Sequence, residues 1–318
     1  MVYSFLAALA GLALLIYGAE RFVEGAAGTA RGLGVPPLII GMTVVGIATS
    51  APEILVGSVA AWDGKTNIAI GNAIGSNIAN IGLVLGGTVL VRPLLVASRT
   101  LWREYLIMCV SVIIATVLMF DLYLSRTDGL ILIVCLVLII MGIVRVARES
   151  PKSDPLADEF AREMKSVRPV SRSMLLLTIG LVLLLSGAEL LVRSAVYIAR
   201  AYGVSDLVIG LTMIAVGTSI PELAASIMSV LKNEADIAIG NVIGSNMFNM
   251  LMVLGIPPLI HPDGFGLEVL SRDITVMIIL TLMMGWMVFI HGQGKFERLE
   301  GSALLSCYLI YMGWLFYW

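Results

Sequence analysis

Long apolar stretches follow one another along almost the whole chain, separated by short polar segments. Dividing the sequence at charged residues, Gly/Pro clusters and Asn or Asp gives about ten stretches, most of them longer than the ~18 to 20 residues that cross a bilayer as helix. Their centres lie at roughly residues 12, 46, 80, 110, 136, 184, 217, 248, 281 and 308. The alternating pattern of a membrane β-barrel does not occur. The chain is therefore predicted to be an all-α membrane protein with ten transmembrane helices.

Composition agrees with this prediction. Of the 318 residues, 59% are hydrophobic and 13% are charged, and the mean hydropathy is +0.99. Soluble domains carry about 25% charged residues, so this chain lies far outside their range. The three cysteines, Cys109, Cys135 and Cys307, stand singly in apolar stretches. They lack the spacing of metal ligands, and we expect them to be small buried side chains.

The basic residues predict the orientation in the membrane, because short cytoplasmic loops collect Lys and Arg. If the N-terminus and C-terminus are both outside, 15 of the 20 basic residues face the cytoplasm. These are Arg21, Arg31, Arg92, Arg99, Arg103, Arg145, Arg148, Lys152, Arg162, Lys165, Arg168, Arg172, Lys232, Lys295 and Arg298. The remaining five are Lys65, Arg126, Arg193, Arg200 and Arg272. For Glu20 and Glu189, which have Arg21 and Arg193 close by, we expect interfacial positions near helix ends.

A single long polar stretch runs from Arg145 to Arg172 and is rich in charged residues and proline. Its composition is typical of a loop between helical segments. We predict a first five-helix repeat at residues 1–146, a cytoplasmic linker at 147–172 and a second five-helix repeat at 173–318.

The two halves carry related sequences. Residues 35–93 align without gaps with residues 204–262, at a constant offset of 169, and 24 of the 59 positions are identical. "GMTVVGIATSAPE" corresponds to "GLTMIAVGTSIPE", and "IAIGNAIGSNIAN" to "IAIGNVIGSNMFN". Because five predicted helices separate the copies, the second copy enters the membrane from the opposite side. Inverted repeats of this kind are typical of transporters with substrate sites near the bilayer midplane.

Each copy places a proline and a glutamate side by side within an apolar stretch, as Pro52–Glu53 and Pro221–Glu222. A proline inside a helix removes one donor and clashes with the carbonyl four residues earlier, which frees backbone oxygens. Such unwound backbone is tolerated at membrane depth only where it is buried in protein or lines a wet cavity. The position four residues before each glutamate is a threonine, so its hydroxyl shares a helix face with the carboxylate. We therefore predict that hydroxyl, carboxylate and carbonyl oxygens converge at each break as ligands for a cation.

The following stretch adds a stripe of polar residues spaced by four, Asn72, Ser76 and Asn80, and its copy adds Asn241, Ser245 and Asn249. Together with the motif these residues make an oxygen-only cage, which suits a hard cation such as Ca²⁺ with its roughly six to eight oxygen ligands. Two carboxylates at this depth cost about 5 to 7 kcal/mol, and neither motif contains a Lys or Arg to offset it. A cation or a proton is the expected counter-charge. For Asn72 and Asn241, inter-helix hydrogen bonding and ion contact remain open alternatives.

These residues resemble the two alpha-repeats of the calcium/cation antiporter superfamily, specifically its sodium/calcium exchanger family and the bacterial inner-membrane branch. The resemblance covers the ten-helix plan and implies a central calcium site formed by Thr49, Glu53, Thr218 and Glu222. It also implies flanking sodium sites completed by Ser50, Ser219, Ser76 and Ser245, with the carbonyls of Gly46 and Ala215 assisting. Asn80 and Asn249 would line the middle of the cage. Some relatives, including potassium-dependent exchangers, have Asp where this chain has Asn249, which weakens the case for potassium co-transport.

The resemblance implies a secondary antiporter that exchanges Ca²⁺ for Na⁺ by alternating access. It implies no enzymatic activity, no cofactor and no obligatory protein partner, with Ca²⁺, Na⁺ and membrane lipid as the interacting species. Exchange of H⁺ for Ca²⁺ on the same fold is the alternative, because a desolvated carboxylate can carry a proton. A passive cation channel and an intramembrane diacid hydrolase fit the inverted repeat and the polar stripes less well. The short linker and the lack of a targeting segment predict a multi-pass protein of a bacterial or archaeal plasma membrane.

Overall fold

The computed structural model describes residues 2–95, 101–149, 169–202, 215–291 and 295–315, and these are almost entirely helical. We label the helical segments in chain order as α1 (Val2–Leu33), α2 (Pro37–Thr49 and Ala51–Trp62), α3 (Thr66–Val91), α4 (Leu101–Leu118), α5 (Arg126–Glu149), α6 (Val170–Ala201), α7 (Ala215–Thr218 and Ile220–Leu231), α8 (Ala235–Ile260), α9 (Val269–Phe289) and α10 (Arg298–Leu315). Four two-residue strands lie in the connections: β1 (Leu94–Leu95), β2 (Tyr123–Leu124), β3 (Asp263–Gly264) and β4 (Lys295–Phe296).

The prediction of a helical membrane protein is confirmed. Within the described residues, seven helices are long and apolar enough to cross a bilayer, or eight if the two parts of α2 count as one bent span. Length and apolarity therefore account for fewer crossings than the predicted ten. The described part of α7 downstream of its break has only 12 residues, and α10 has Arg298 and Glu300 in its first turn.

The internal repeat is visible in the helix boundaries. Ala51–Trp62 and Ile220–Leu231 are related by the offset of 169, and so are Thr66–Ala79 and Ala235–Phe248. Most of the predicted linker, 147–172, lies outside the described residues. The helices on either side reach into its predicted ends, since α5 continues to Glu149 and α6 begins at Val170.

Two helices, α3 and α8, form the centre of the bundle. In the most apolar segment of each helix, the buried share of residues is 72% for α3 and 94% for α8, compared with 22% for α5. Apolar side chains from α4, α5, α9 and α10 pack around them in one continuous core. The polar stripes of α3 and α8 are therefore held within protein rather than against lipid.

Helices α1 and α6 pack against each other along their whole length as an antiparallel pair. Glycines on each helix allow this approach, because a Cβ at Gly18 would overlap the backbone of Leu184, and a Cβ at Gly187 would meet Leu15 N at 2.5 Å. The pair forms its own apolar cluster with Ile40, Val45, Ala225 and Ile237, separate from the main core. Glu20 and Glu189 lie well inside α1 and α6, so their expected positions near helix ends were wrong. Glu20 pairs with Lys232, whereas Arg21 pairs with Glu24. Glu189 does pair with Arg193.

The strands connect the two halves at both ends of the bundle. Strand β1, which follows α3, pairs with β4, which precedes α10. Strand β2, between α4 and α5, pairs with β3, between α8 and α9.

Candidate cation site

The helix interrupts at the predicted position in both copies. In α2 the break is at Ser50, with φ −78° and ψ 4°, and the two parts of the helix differ in direction by 41°. In α7 it is at Ser219, with φ −89° and ψ 2°. Pro52 and Pro221 are the second residues of the downstream segments, in the first turn, where the missing N–H of proline does no harm. Glu53 and Glu222 consequently lie in the first turn of a new helix, the end that favours negative charge.

Both glutamates are buried, each with only 1% of its surface exposed. The carboxylates lie close enough to interact with each other, and each also interacts with the threonine of the other repeat, Glu53 with Thr218 and Glu222 with Thr49. Oxygen Oε2 of each glutamate is buried without a hydrogen-bond partner in the described part of the chain. Neither carboxylate has an ion pair among the described basic residues. Two neighbouring carboxylates in this state require a positive counter-charge.

The stripes of α3 and α8 lie beside these glutamates. Ser76, Asn80, Ser245 and Asn249 are all buried. Asn80 and Asn249 each begin a π-helical turn, at equivalent positions of the two repeats, and π-bulges are frequent at functional sites. The Oδ1 and Nδ2 atoms of both asparagines, and the hydroxyls of Ser50 and Ser219, are buried and find no partner within the described ranges.

Contacts between repeats assemble the site. The Thr49 hydroxyl lies 3.1 Å from Asn241 Oδ1 and 3.4 Å from Ser245 Oγ, and Ser245 Oγ lies 3.5 Å from the Gly46 carbonyl. Glycines make this crossing of α2 and α8 possible, since a Cβ on Gly46 would lie 3.0 Å from the Gly244 backbone. Residues of the first half thus meet residues of the second half at the centre of the bundle.

Contacts join the predicted residues Gly46, Thr49, Glu53, Thr218, Glu222 and Ser245. The structure buries the predicted residues Ser50, Ser76, Asn80, Ser219 and Asn249 on the same four helical segments, α2, α3, α7 and α8. Ala215 is the first described residue of α7, three residues before Thr218. The sequence left Asn72 and Asn241 undecided, and both donate hydrogen bonds to glutamate carbonyls. Ser226, whose hydroxyl contacts Asn241, was not predicted. Its only signal is a hydroxyl one turn after Glu222, and the first repeat has Gly57 at that position.

The unpartnered groups at this site are oxygens of carboxylates, hydroxyls and amides, together with amide nitrogens. No group of three or more His, Cys, Asp or Glu side chains that could hold a metal occurs among the described residues. The oxygen set excludes a zinc or copper preference and suits a hard cation as cargo.

Comparison with known proteins identifies the family. A family model described as sodium/calcium exchanger protein matches residues 3–145 and 172–317. The chain belongs to the sodium/calcium exchanger family. It is 43% identical to the putative antiporter CaxA of Alkalimonas amylolytica, over 97% of both chains. It is 39% identical over 96% of both chains to inner membrane protein YrbG of Escherichia coli (strain K12).

A solved structure has the same fold. The sodium-calcium exchanger NCX_Mj, soaked with zero Na⁺ and Ca²⁺, matches with a TM-score of 0.85 and 35% identity over 99% of both chains. The resemblance named from the motifs is therefore confirmed. The exchanger-family chain is a multi-pass membrane protein and a cation/Ca²⁺ antiporter, and its family consists of transporters rather than enzymes.

Proposed function

We propose that this protein exchanges Ca²⁺ for Na⁺ across the membrane by alternating access, without a cofactor. The observation that carries the proposal is the pair of buried carboxylates, Glu53 and Glu222, which share one site and have no cationic side chain beside them in the described residues. Their charge of −2 equals the charge that one Ca²⁺ neutralises. A bound cation offsets the cost of holding both carboxylates away from water.

The proposed ligands follow the resemblance. Thr49, Glu53, Thr218 and Glu222 form the calcium site, and the hydroxyls of Ser50, Ser76, Ser219 and Ser245 complete sodium sites, with the carbonyls of Gly46 and Ala215 assisting. Asn80 and Asn249 lie in the middle. The unpartnered buried atoms of Ser50, Ser219, Asn80 and Asn249 support this assignment, because buried polar groups normally have partners.

Sodium is the proposed counter-ion because hydroxyls flank the carboxylates in both halves. Ser50 and Ser219 are each nearly fully buried next to a glutamate-bearing helix. Among similar proteins, NCX_Mj is named a sodium-calcium exchanger, and MaX1 of Methanosarcina acetivorans, 29% identical over 99% of both chains, a sodium/calcium exchanger. Exchange of H⁺ for Ca²⁺ is the second candidate, since either carboxylate can take a proton in place of a metal ion.

The strand pairs support ten crossings with inverted repeats. Paired strands lie on one side of the membrane, so an even number of crossings must separate β1 from β4. Between them, α4, α5, α6, α8 and α9 are crossings by length, and α7 makes the number even. Four crossings, α5 to α8, likewise separate β2 from β3. The distribution of basic residues favours both termini outside, and the name of YrbG favours an inner, or plasma, membrane.

The separate packing of α1 and α6 supports alternating access. These two helices share a cluster that is distinct from the core around α3 and α8. We propose that they move together over that core and open the site to one side at a time. A cross-link between α1 and α8 that leaves transport intact would contradict this mechanism.

The deciding experiment measures ⁴⁵Ca²⁺ uptake into proteoliposomes loaded with Na⁺ or held at an imposed pH gradient. Wild type should take up Ca²⁺ with the sodium gradient, and Glu53→Gln and Glu222→Gln should each abolish uptake, since one carboxylate cannot neutralise Ca²⁺. Glu104→Gln is the matched control, because Glu104 is equally buried but pairs with Arg103 in α4. Uptake driven only by the pH gradient would establish the proton alternative, and no uptake under either condition would overturn calcium as the substrate.

A further inference from the structure

One asparagine of each repeat lies against the backbone of the site glutamate. Asn241 is fully buried on α8. Its Nδ2 lies 3.3 Å from the Glu222 carbonyl oxygen and 3.0 Å from Ser226 Oγ, and its Oδ1 lies 3.1 Å from the Thr49 hydroxyl. Because a carbonyl only accepts hydrogen bonds, the amide nitrogen must be the atom that faces Glu222. The orientation of the side chain is thus fixed by its partner.

The first repeat contains the same contact independently. Asn72 occupies the equivalent position on α3, and its Nδ2 donates to the Glu53 carbonyl oxygen at 3.2 Å. The contact of the asparagine with a serine hydroxyl is specific to the second repeat, because Gly57 replaces Ser226 and offers no side chain. A contact that recurs at both glutamates is a property of the site rather than of one helix crossing.

We propose that Asn241 and Asn72 are positioning residues of the cation site and are not ion ligands. Each asparagine donates to the carbonyl of its glutamate in the first turn of the helix downstream of the break, and so ties the start of that helix to α3 or α8. Asn241 in addition connects Thr49 of the first half to Glu222 of the second half. This inference rests on the proposed calcium exchange and states how the two halves of that site are kept in register.

Replacement by aspartate separates the two roles of an asparagine. Asn241→Asp keeps an oxygen where Oδ1 stands but loses the donor to the Glu222 carbonyl. An ion ligand would tolerate this change, and the added negative charge would tighten Ca²⁺ binding. A positioning residue would not, because the new carboxylate and the Glu222 carbonyl are both acceptors and repel each other where a hydrogen bond stood.

The experiment measures the Kd for Ca²⁺ by equilibrium binding of ⁴⁵Ca²⁺ to the purified, detergent-solubilised full chain. We expect Asn241→Ala to raise the Kd about tenfold. Asn241→Asp should raise it at least as much, and Asn72→Ala should act in the same direction. The maximal uptake rate at saturating Ca²⁺ should fall much less, a split between affinity and rate that loss of folded protein would not produce.

Asn246→Asp is the matched control for burying a new carboxylate on the same helix. Asn246 is buried to nearly the same extent five residues further along α8, and its Nδ2 contacts Met108 Sδ rather than the site. Thermal unfolding without Ca²⁺ compares the stability of both variants. Unchanged or tighter Ca²⁺ binding by Asn241→Asp would overturn the inference while leaving calcium exchange intact. A wild-type protein that binds no Ca²⁺ would overturn the proposed function and this inference with it.

Discussion

The two halves of the molecule offer matching carboxylates and hydroxyls to the site, but they carry different charges in the loops that follow the glutamate-bearing helices. After α7, Lys232 pairs with Glu20 at 3.2 Å and Glu234 pairs with Arg31 at 2.8 Å, so this loop is attached to α1. The equivalent loop after α2 carries Asp63 and Lys65, and the equivalent positions of α6 carry Glu189 and Arg200. The equivalent pairings would bring Asp63 to Glu189 and Lys65 to Arg200, and both would join like charges.

The difference shows that a site with matching residues in both repeats can be flanked by ion pairs that only one repeat forms. In transporters with inverted repeats, one repeat or helix bundle moves against the other around the site, which opens to one side and then the other. When the loop after α7 contacts α1, two ion pairs form. The equivalent contact of the loop after α2 with α6 could not form them, because it would bring like charges together. Both pairs are partly exposed, so each contributes at most about 1 kcal/mol.

The largest expected effect concerns the glycines at which the two halves cross. A Cβ on Gly244 would overlap the Met42 carbonyl of α2, whereas a Cβ on Gly87 in α3 would meet Leu223 Cδ1 of α7 at an ordinary 3.5 Å. Gly244→Ala should therefore lower the free energy of unfolding by about 3 kcal/mol, and the matched control Gly87→Ala by about 0.5 kcal/mol. Thermal unfolding in detergent measures both. Equal losses would show that the backbone contact at Gly244 does not limit how closely α2 and α8 approach.

Much of this arrangement could be predicted from the sequence, because its signals are local or repeated. The offset of 169 identifies the two halves, and proline next to glutamate within an apolar stretch identifies the helix breaks. The structure places those breaks at Ser50 and Ser219, two residues before each proline.

Other features depend on packing between segments that are distant in sequence. The π-helical turns at Asn80 and Asn249 have no local sequence signal that distinguishes them from an ordinary helix. The approach of Thr49 to Asn241 joins residues 192 positions apart. The apolar pattern alone also could not show that Asn72 and Asn241 face glutamate backbone, since an amide side chain suits ion contact and hydrogen bonding equally well.

A smaller effect is expected when the charge asymmetry is reversed. Lys232→Glu replaces an attraction to Glu20 by a repulsion, and a change of about 1 kcal/mol corresponds to a roughly fivefold shift of a conformational equilibrium. Spin labels at the exposed positions Leu33 and Leu231, in a background without the three cysteines, can report this shift as a longer distance by electron–electron double resonance.

The double variant with Glu20→Lys and Lys232→Glu restores the pair with opposite polarity and should return the distances towards those of wild type. Asp63→Asn in the first-half loop is the matched control and should leave them unchanged, because Asp63 forms no ion pair within the described residues. If Asp63→Asn and Lys232→Glu changed the distances equally, the ion pairs of α1 would not distinguish the two halves.

The smallest effect concerns the hydroxyl that only the second half has next to its asparagine. Ser226→Ala removes one of two partners of Asn241 Nδ2 and should raise the Kd for Ca²⁺ about threefold. Ser229→Ala is the matched control, since the Ser229 hydroxyl donates to the Ala225 carbonyl of its own helix. The reverse change, Gly57→Ser, is sterically allowed, because a Cβ there meets Ala69 and Val253 at an ordinary 3.7 Å. If the hydroxyl strengthens the hold on the asparagine, Gly57→Ser should lower the Kd about twofold, and a Kd that rises instead would show that the glycine is required in the first half.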